Sequence, residues 1–399
     1  MDRMPRDLIG PDEYAARVTA LRALLREGGH DAALVWARGG GSVDRYADLR
    51  YLTGYYPVFP TIRDLEGVWS DRGLAAALVT ADEVVLFADE VGVDEAASGV
   101  TTWIGRHGSG DRTLVGDVVA ALGERIGVRS LLLVATDAMS GKQARALAAE
   151  PAFSALAVAD DNGIVEGLRL RKSAAEIALL REAASIAEEA LEAGFAAIRP
   201  GAREADVVAA MAEVVSRREA VLANAFVYTF QSTGGSEDNR LPIHSGRVFA
   251  EGDLFTVDLS GTYAGYFFDL ARSVVVGGAP TADQTASYEL ARATVDAVVD
   301  AFRPGAVLGD AARAGSDLLR AAGVDPERAE FTARGHGLGL GFEAPWIRDN
   351  STLVLEAGMV VSVEQFCFVG DTGATFERNL VITEDGAEDL VAVRDFWSS

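Results

Sequence analysis

The chain has 399 residues, of which 49% are hydrophobic and 24% charged, and a formal net charge of −24. This is the composition of a soluble globular protein with room for two domains, and its acidic balance argues against a nucleic-acid or anionic-membrane surface, which needs clustered Lys and Arg. No apolar run reaches the roughly 18 residues of a membrane span, the start MDRMPRDLIGPDEYAARV has no apolar signal core, and the single cysteine, Cys367, excludes an intrachain disulfide; a cytoplasmic location is the expectation.

Residues 11–28 read as an amphipathic helix. Beyond it, the short apolar runs DAALVWA, GLAAALVT, EVVLFA and SLLLVAT read as strands. They alternate with the helical stretches TLVGDVVAALGERIG and MSGKQARALAAE. This pattern predicts an α/β domain over residues 1–163. The glycines of ARGGGS lack the Lys-Ser/Thr of a phosphate loop and the spacing of a dinucleotide fingerprint, so they read as a plain loop. Trp69, Trp103 and Trp346 read as packing residues rather than pocket walls.

The junction ADDNGIVEGLRLRKS leads into a second domain, residues 164–399. Ser173 and Glu176 have capping-box spacing ahead of a long helix. An echo follows: AIRPGA at 197–202 and AFRPGA at 301–306, each between two helical stretches. The matching flanks predict a duplicated half-domain of helix, turn, helix and strands. Glu237, Asp238 and Asn239 in TGGSEDNR form a polar loop ahead of the acid-bearing hairpin that follows in the chain.

Each half then carries a pair of acids around a turn. In VDLSGTYAGYFFDLARS, Asp258 and Asp269 are equidistant from a point between Tyr263 and Ala264. A symmetric hairpin would set them directly opposite, with Cβ atoms roughly 4.5–5.5 Å apart. In MVVSVEQFCFVGDTGATFERNLVIT, Glu364 and Glu377 are symmetric about Gly370–Asp371. Like charges opposed on a sheet repel, and burial raises the cost. Two such pairs, one per repeat, imply cations between them. His336 lies between the pairs in the chain, among glycines 335, 337, 339 and 341. Four carboxylates and an imidazole suit two divalent ions, with Mn²⁺, Co²⁺, Fe²⁺ and Zn²⁺ all compatible. Two ions about 3.5–4 Å apart can activate a bridging water.

The pieces EGDLFTVDLSG…FFDLARS, GHGLGLGFEAPWI, LEAGMVVSVEQ and FERNLVITEDG, in this order over residues 252–386, resemble the creatinase/aminopeptidase superfamily with the pita-bread fold. That superfamily includes Xaa-Pro aminopeptidases and prolidases. The resemblance implies a creatinase-type N-terminal α/β domain followed by an α+β pita-bread catalytic domain with pseudo-twofold halves. It implies that Asp258, Asp269, His336, Glu364 and Glu377 are the ligands of two divalent ions, Mn²⁺ first among them. It also implies a homodimer acting on a short-peptide or small-molecule substrate, with neither nucleic acid nor membrane as partner. The activity implied is hydrolysis of an amide C–N bond, Xaa-Pro peptides by default, through a metal-bridging hydroxide with Glu364 or another acid near the metals shuttling the proton.

Three positions depart from the resemblance. Glu343 stands seven residues after His336, where the peptidases have a second histidine. An acid there could protonate a leaving group or recognise a cationic substrate. The one candidate for the upstream catalytic histidine is His244 in LPIHSGR, which reads either as that residue, with a shortened loop behind it, or as an ordinary loop histidine. Thr375 replaces an arginine frequent in prolidases. Two other readings stay open: a pita-bread relative acting on a small non-peptide (an ectoine- or creatine-type hydrolase, or a dimethylsulfoniopropionate lyase-like C–S lyase), and a non-catalytic binding module.

Overall fold

A computed structural model describes residues 9–39, 45–57, 71–88, 99–105, 113–232, 244–327 and 332–397. Gly40, Gly41, Trp69, Glu237, Asp238 and Asn239 lie outside these described residues. The chain groups into two compact units, Asp7–Arg169 and Leu170–Ser399.

The first unit runs α1 (Pro11–Glu27), β1 (Ala32–Arg38), α2 (Ala47–Thr53), β2 (Leu74–Thr80), β3 (Val84–Ala88), β4 (Thr102–Gly105), α3 (Leu114–Glu124), β5 (Ser130–Val134), α4 (Gly141–Ala149), α5 (Pro151–Ser154), β6 (Ala157–Asp160) and α6 (Gly163–Arg169). Its six strands form one mixed sheet in the order β4-β3-β2-β1-β5-β6. β1, β2 and β3 pair antiparallel, while β5, β6 and β4 join in parallel. The central β1 reads AALVWAR without polar alternation because six of its seven residues are buried. α2 has no counterpart among the sequence expectations; it has no side-chain cap, and Gly54 ends it at φ +73°. A buried ion pair between Arg169 and Asp48 ties α6 to α2.

The second unit runs α7 (Ala174–Ala197), α8 (Glu204–Arg217), β7 (Val221–Phe230), β8 (Leu254–Tyr263), β9 (Tyr266–Val275), α9 (Ala282–Asp300), α10 (Leu308–Ala321), β10 (Gly335–Leu338), β11 (Phe342–Glu343), β12 (Val360–Val369), β13 (Thr372–Ile382) and β14 (Ala387–Asp389). The strands form two antiparallel sheets, β7-β8-β9 and β11-β10-β12-β13-β14. One apolar cluster packs α9 and α10 on the second sheet.

The duplication expected from the sequence is present down to single hydrogen bonds. α7 opens with the capping box Ser173/Glu176 and α9 with Thr281/Gln284. Both Pro-Gly turns place glycine in the left-handed region, Gly201 at φ +87° and Gly305 at φ +84°. Gly201 N donates to Phe249 O and Gly305 N to Leu355 O, each at 2.9 Å. Hairpin β8–β9 therefore corresponds to hairpin β12–β13, and each half offers one acidic hairpin to a shared seam.

An alanine at either turn glycine meets nothing within 4 Å, so its cost is backbone strain alone. Gly201→Ala and Gly305→Ala should each lower unfolding stability by about 1–2 kcal/mol, and their effects should sum within about 0.5 kcal/mol. Urea unfolding checks this. A large loss for one and none for the other would show that the turns are not equivalent.

Candidate metal centre

The first hairpin does not close where symmetry places it. Tyr263 pairs with Tyr266, and the turn is Ala264–Gly265, both at positive φ (+51° and +85°). That is the backbone twist a two-residue hairpin turn requires. The register therefore sets Asp258 opposite Ala271 and Asp269 opposite Ser260. The two aspartates are diagonal neighbours on one face, not directly opposed, a correction to the expectation above. The diagonal still suffices, because carboxylates reach across it. In the second hairpin, Glu364 does lie directly opposite Glu377.

The seam between β9 and β13 brings the pairs together. Ser273 Oγ accepts from Thr375 N at 2.9 Å. Arg272, buried, donates from one Nη1 to Ala271 O at 2.8 Å and Glu377 O at 2.7 Å. Asn379 Nδ2 donates to Asp269 O. Across this seam, ligand atoms of Asp258, Asp269 and Glu377 lie within 4.8 Å of one another. His336, on β10, completes the group. Its Nε2 is 3.3 Å from Asp269 Oδ2 and 3.5 Å from Glu364 Oε1. Its Nδ1 is 2.9 Å from Gly337 O. A carbonyl can only accept, so Nδ1 carries the proton there and Nε2 is the nitrogen offered to the acids. The structure thus gathers all five residues for which the sequence implied a metal role.

Glu377 is fully buried and held twice: Ser362 Oγ donates to Oε1 and Ala271 N to Oε2. Burial, reinforced by the charges of Glu364 and Asp258, pushes its carboxyl up to about 8. Burial, then the charge of Glu364, raises Asp258 to about 6. Asp269 lies well above the usual carboxylate range through burial and the charges of Glu377 and Asp258. Burial works against a protonated His336, but hydrogen bonds to Asp269 and Glu364 outweigh it and lift the imidazole well above its usual range. Burial and mutual repulsion thus favour the protonated forms of Asp258, Asp269 and Glu377.

The donor set fits divalent cations. Asp269 Oδ1 is buried with no hydrogen-bond partner. Such an oxygen is costly unless something positive meets it. Carboxylate oxygens with one imidazole nitrogen suit hard or borderline ions.

Glu343 is not brought into this group. It pairs with Gly337, the residue after His336, so its side chain leaves β11 on the face opposite the imidazole. Its Oε1 sits 2.8 Å from Lys172 Nζ, with both side chains buried. The acid expected in the pocket is engaged in an ion pair, which removes the reason to expect a cationic substrate from it. The residue on the imidazole's side is Phe342, edge-on to His336 at 5.0 Å, with Trp346 at 6.0 Å. Phe342 is absent from the sequence expectations, although alternation of side chains along a strand identifies it once β11 is known. His244 is half-buried, and among the described residues no hydrogen bond or ion pair joins it to the five. Its neighbour Ser245 is anchored on Glu204, through N at 2.9 Å and Oγ at 2.6 Å. Thr375 is buried within the seam, donating to Gln365 O at 3.2 Å. Burial pushes the Cys367 thiol up to about 12, so it is no nucleophile.

Residues 178–384 match the model of metallopeptidase family M24, and residues 17–171 match the creatinase/prolidase N-terminal domain. The chain belongs to metallopeptidase family M24. It is 34% identical over 250 residues to a probable dipeptidase PepE of Mycobacterium tuberculosis, covering 59% of this chain and 64% of that one. It is 29% identical over 229 residues to a Xaa-Pro dipeptidase of Pyrococcus furiosus, covering 57% and 64%. The match thus spans under two thirds of these relatives' length. Among solved structures, a Xaa-Pro dipeptidase from Bacillus anthracis superposes with a TM-score of 0.77 at 23% identity, over 96% of this chain and 99% of that one. The dipeptidase PepE from Mycobacterium ulcerans superposes with a TM-score of 0.74 at 26% identity, over 97% of each chain. The M24 match covers the whole seam, and the fold is the pita-bread arrangement with a creatinase-type N-terminal domain.

The protonation pattern gives a pH dependence for chelator-treated protein. Each raised group binds its proton more tightly folded than unfolded, so stability falls as pH rises from the ordinary carboxylate value towards the folded one. For Glu377 that window runs from 4.5 to about 8. The urea midpoint should fall over that range, and saturating Mn²⁺ should flatten or reverse the trend, because the metal replaces the protons. A midpoint that climbs through the window without metal would refute this.

Proposed function

We propose that this chain is a dinuclear-metal-dependent peptidase that hydrolyses the C–N bond of short peptides, with Xaa-Pro dipeptides as its leading substrates. The observation that carries the reading is the four-acid, one-imidazole group, with Asp269, His336 and Glu377 buried and one Asp269 oxygen unpartnered. The names of the relatives, PepE and Xaa-Pro dipeptidase, support the substrate class.

Asp258, Asp269, His336, Glu364 and Glu377 would hold two divalent ions, with Mn²⁺ the ion to load first. The ions would supply Lewis-acid polarisation of the scissile carbonyl and activation of the attacking water. Glu364 is the most open of the acids at the imidazole, 20% exposed against 4% for Asp269. It takes the proton from the water and returns it to the leaving nitrogen. Glu377 is held by Ser362 and the Ala271 amide, and Asp269 lies 3.3 Å from His336 Nε2; with ions bound, both would carry negative charge. His336 offers Nε2, its tautomer fixed by Gly337 O. A homodimer and a cytoplasmic location complete the reading. The buried, unbridged Cys367 fits a reducing compartment.

Protein loaded with Mn²⁺ should release proline from Xaa-Pro dipeptides, and a chelator should abolish the release. Glu364→Gln should lower kcat by about 10²–10⁴-fold. No proline from protein shown to carry two ions per chain would overturn the substrate class. Release indifferent to the chelator would overturn the metal role.

A further inference from the structure

The Lys172–Glu343 pair is the most enclosed ion pair outside the acid group among the described residues, with side-chain exposures of 1% and 3%. Burying two charges is expensive, and the attraction between them barely offsets it. The surroundings show what the pair is attached to. Lys172 immediately precedes the capping box that opens α7. Its backbone N donates to Gly358 O at 2.8 Å, at the entry to β12. Its Nζ also lies 3.5 Å from Leu170 O.

Glu343 in turn grips the glycine-rich strand. A Cβ on Gly339 would lie 2.2 Å from Glu343 Oε1, and one on Gly337 would lie 2.2 Å from Ala344 O. Both glycines are there to let this segment close. Gly337 is the ladder partner of Glu343 and also the residue whose carbonyl holds His336 Nδ1. Gly339 O accepts from Phe267 N at 2.7 Å, two residues before Asp269. A continuous chain of contacts therefore runs from Lys172 through Glu343 to Gly337 and Gly339. From there it reaches the orientation of His336 and the height of β9.

We infer that Lys172 and Glu343 are positioning residues: their buried pair fixes the Gly337 carbonyl and so aims His336 Nε2 at Asp269 and Glu364. Glu343 lies on the face of β11 opposite the imidazole. Outer-sphere partners that orient a ligating histidine set the affinity of the site as well as its shape. The inference rests on the metal-centre reading above.

The test is Mn²⁺ binding by calorimetry and the visible spectrum of the Co²⁺-loaded protein, measured on the full chain. Lys172→Met with Glu343→Leu removes both charges at similar volume, a change buried pairs commonly tolerate. The double variant should keep the thermal midpoint of the chelator-treated parent, bind Mn²⁺ about 10–100-fold more weakly, and show a shifted Co²⁺ spectrum. Lys172→Arg, which keeps the charge, should stay near the parent in both readouts. Parental affinity and spectrum in the double variant would overturn the inference. If that variant does not fold, Glu343→Gln takes its place, since it keeps the shape and loses the charge: weakened Mn²⁺ binding supports the pair's role and unchanged binding overturns it. A parent that binds no Mn²⁺ overturns the inference together with the metal-centre reading. A parent that binds Mn²⁺ but cleaves no peptide overturns only the substrate class and leaves this test intact.

Discussion

Four carboxylates crowded together, two of them fully enclosed, are the constraint around which the second unit is arranged. Left to themselves they repel, and nothing offsets their desolvation. Burial and mutual repulsion favour the protonated forms of Asp258, Asp269 and Glu377, and Glu377 is met by Ser362 and the Ala271 amide. His336 Nε2 lies 3.3 Å from Asp269 and 3.5 Å from Glu364, and these acids lift the imidazole well above its usual range. Arg272 adds its positive charge to the same seam, stitching two carbonyls while its guanidinium lies 4.7 Å from the Phe376 ring. Each device addresses the same electrostatic problem, and the proposed pair of divalent ions would address it more completely.

The duplication explains why the acids meet at all. A helix pair with a Pro-Gly turn delivers one hairpin, and its copy delivers the other. β9 and β13 lie side by side through side-chain bridges rather than a regular ladder. That leaves the space between them open to side chains instead of backbone bonds. Arg272, Ser273, Glu377 and Asn379 supply the polar side chains that bridge this junction.

Much of this is legible in the chain because it is written locally. The capping box at Ser173, the paired turns and the symmetric Glu364/Glu377 hairpin all follow from short-range chemistry. The register at Asp258 is one step from the symmetric expectation. The centre of a hairpin depends on which two residues adopt positive φ, and Ala264 is not a residue that advertises it. The role of Glu343 is hidden for a different reason. Its partner, Lys172, is 171 positions away, and nothing local tells which face of a two-residue strand an acid takes. α2 is not visible in the sequence because it owes its form to burial rather than to helix signals.

The split of the acids between two hairpins has a consequence for how the protein comes into being. The first hairpin is complete by residue 275, but its counterpart ends only at residue 382. A nascent chain therefore carries two exposed acids long before the other two exist, and nothing in the early segment can mimic the finished set. The proposed ion site would be complete only once the second hairpin has been made, and a chain broken off before it would lack Glu364 and Glu377 altogether.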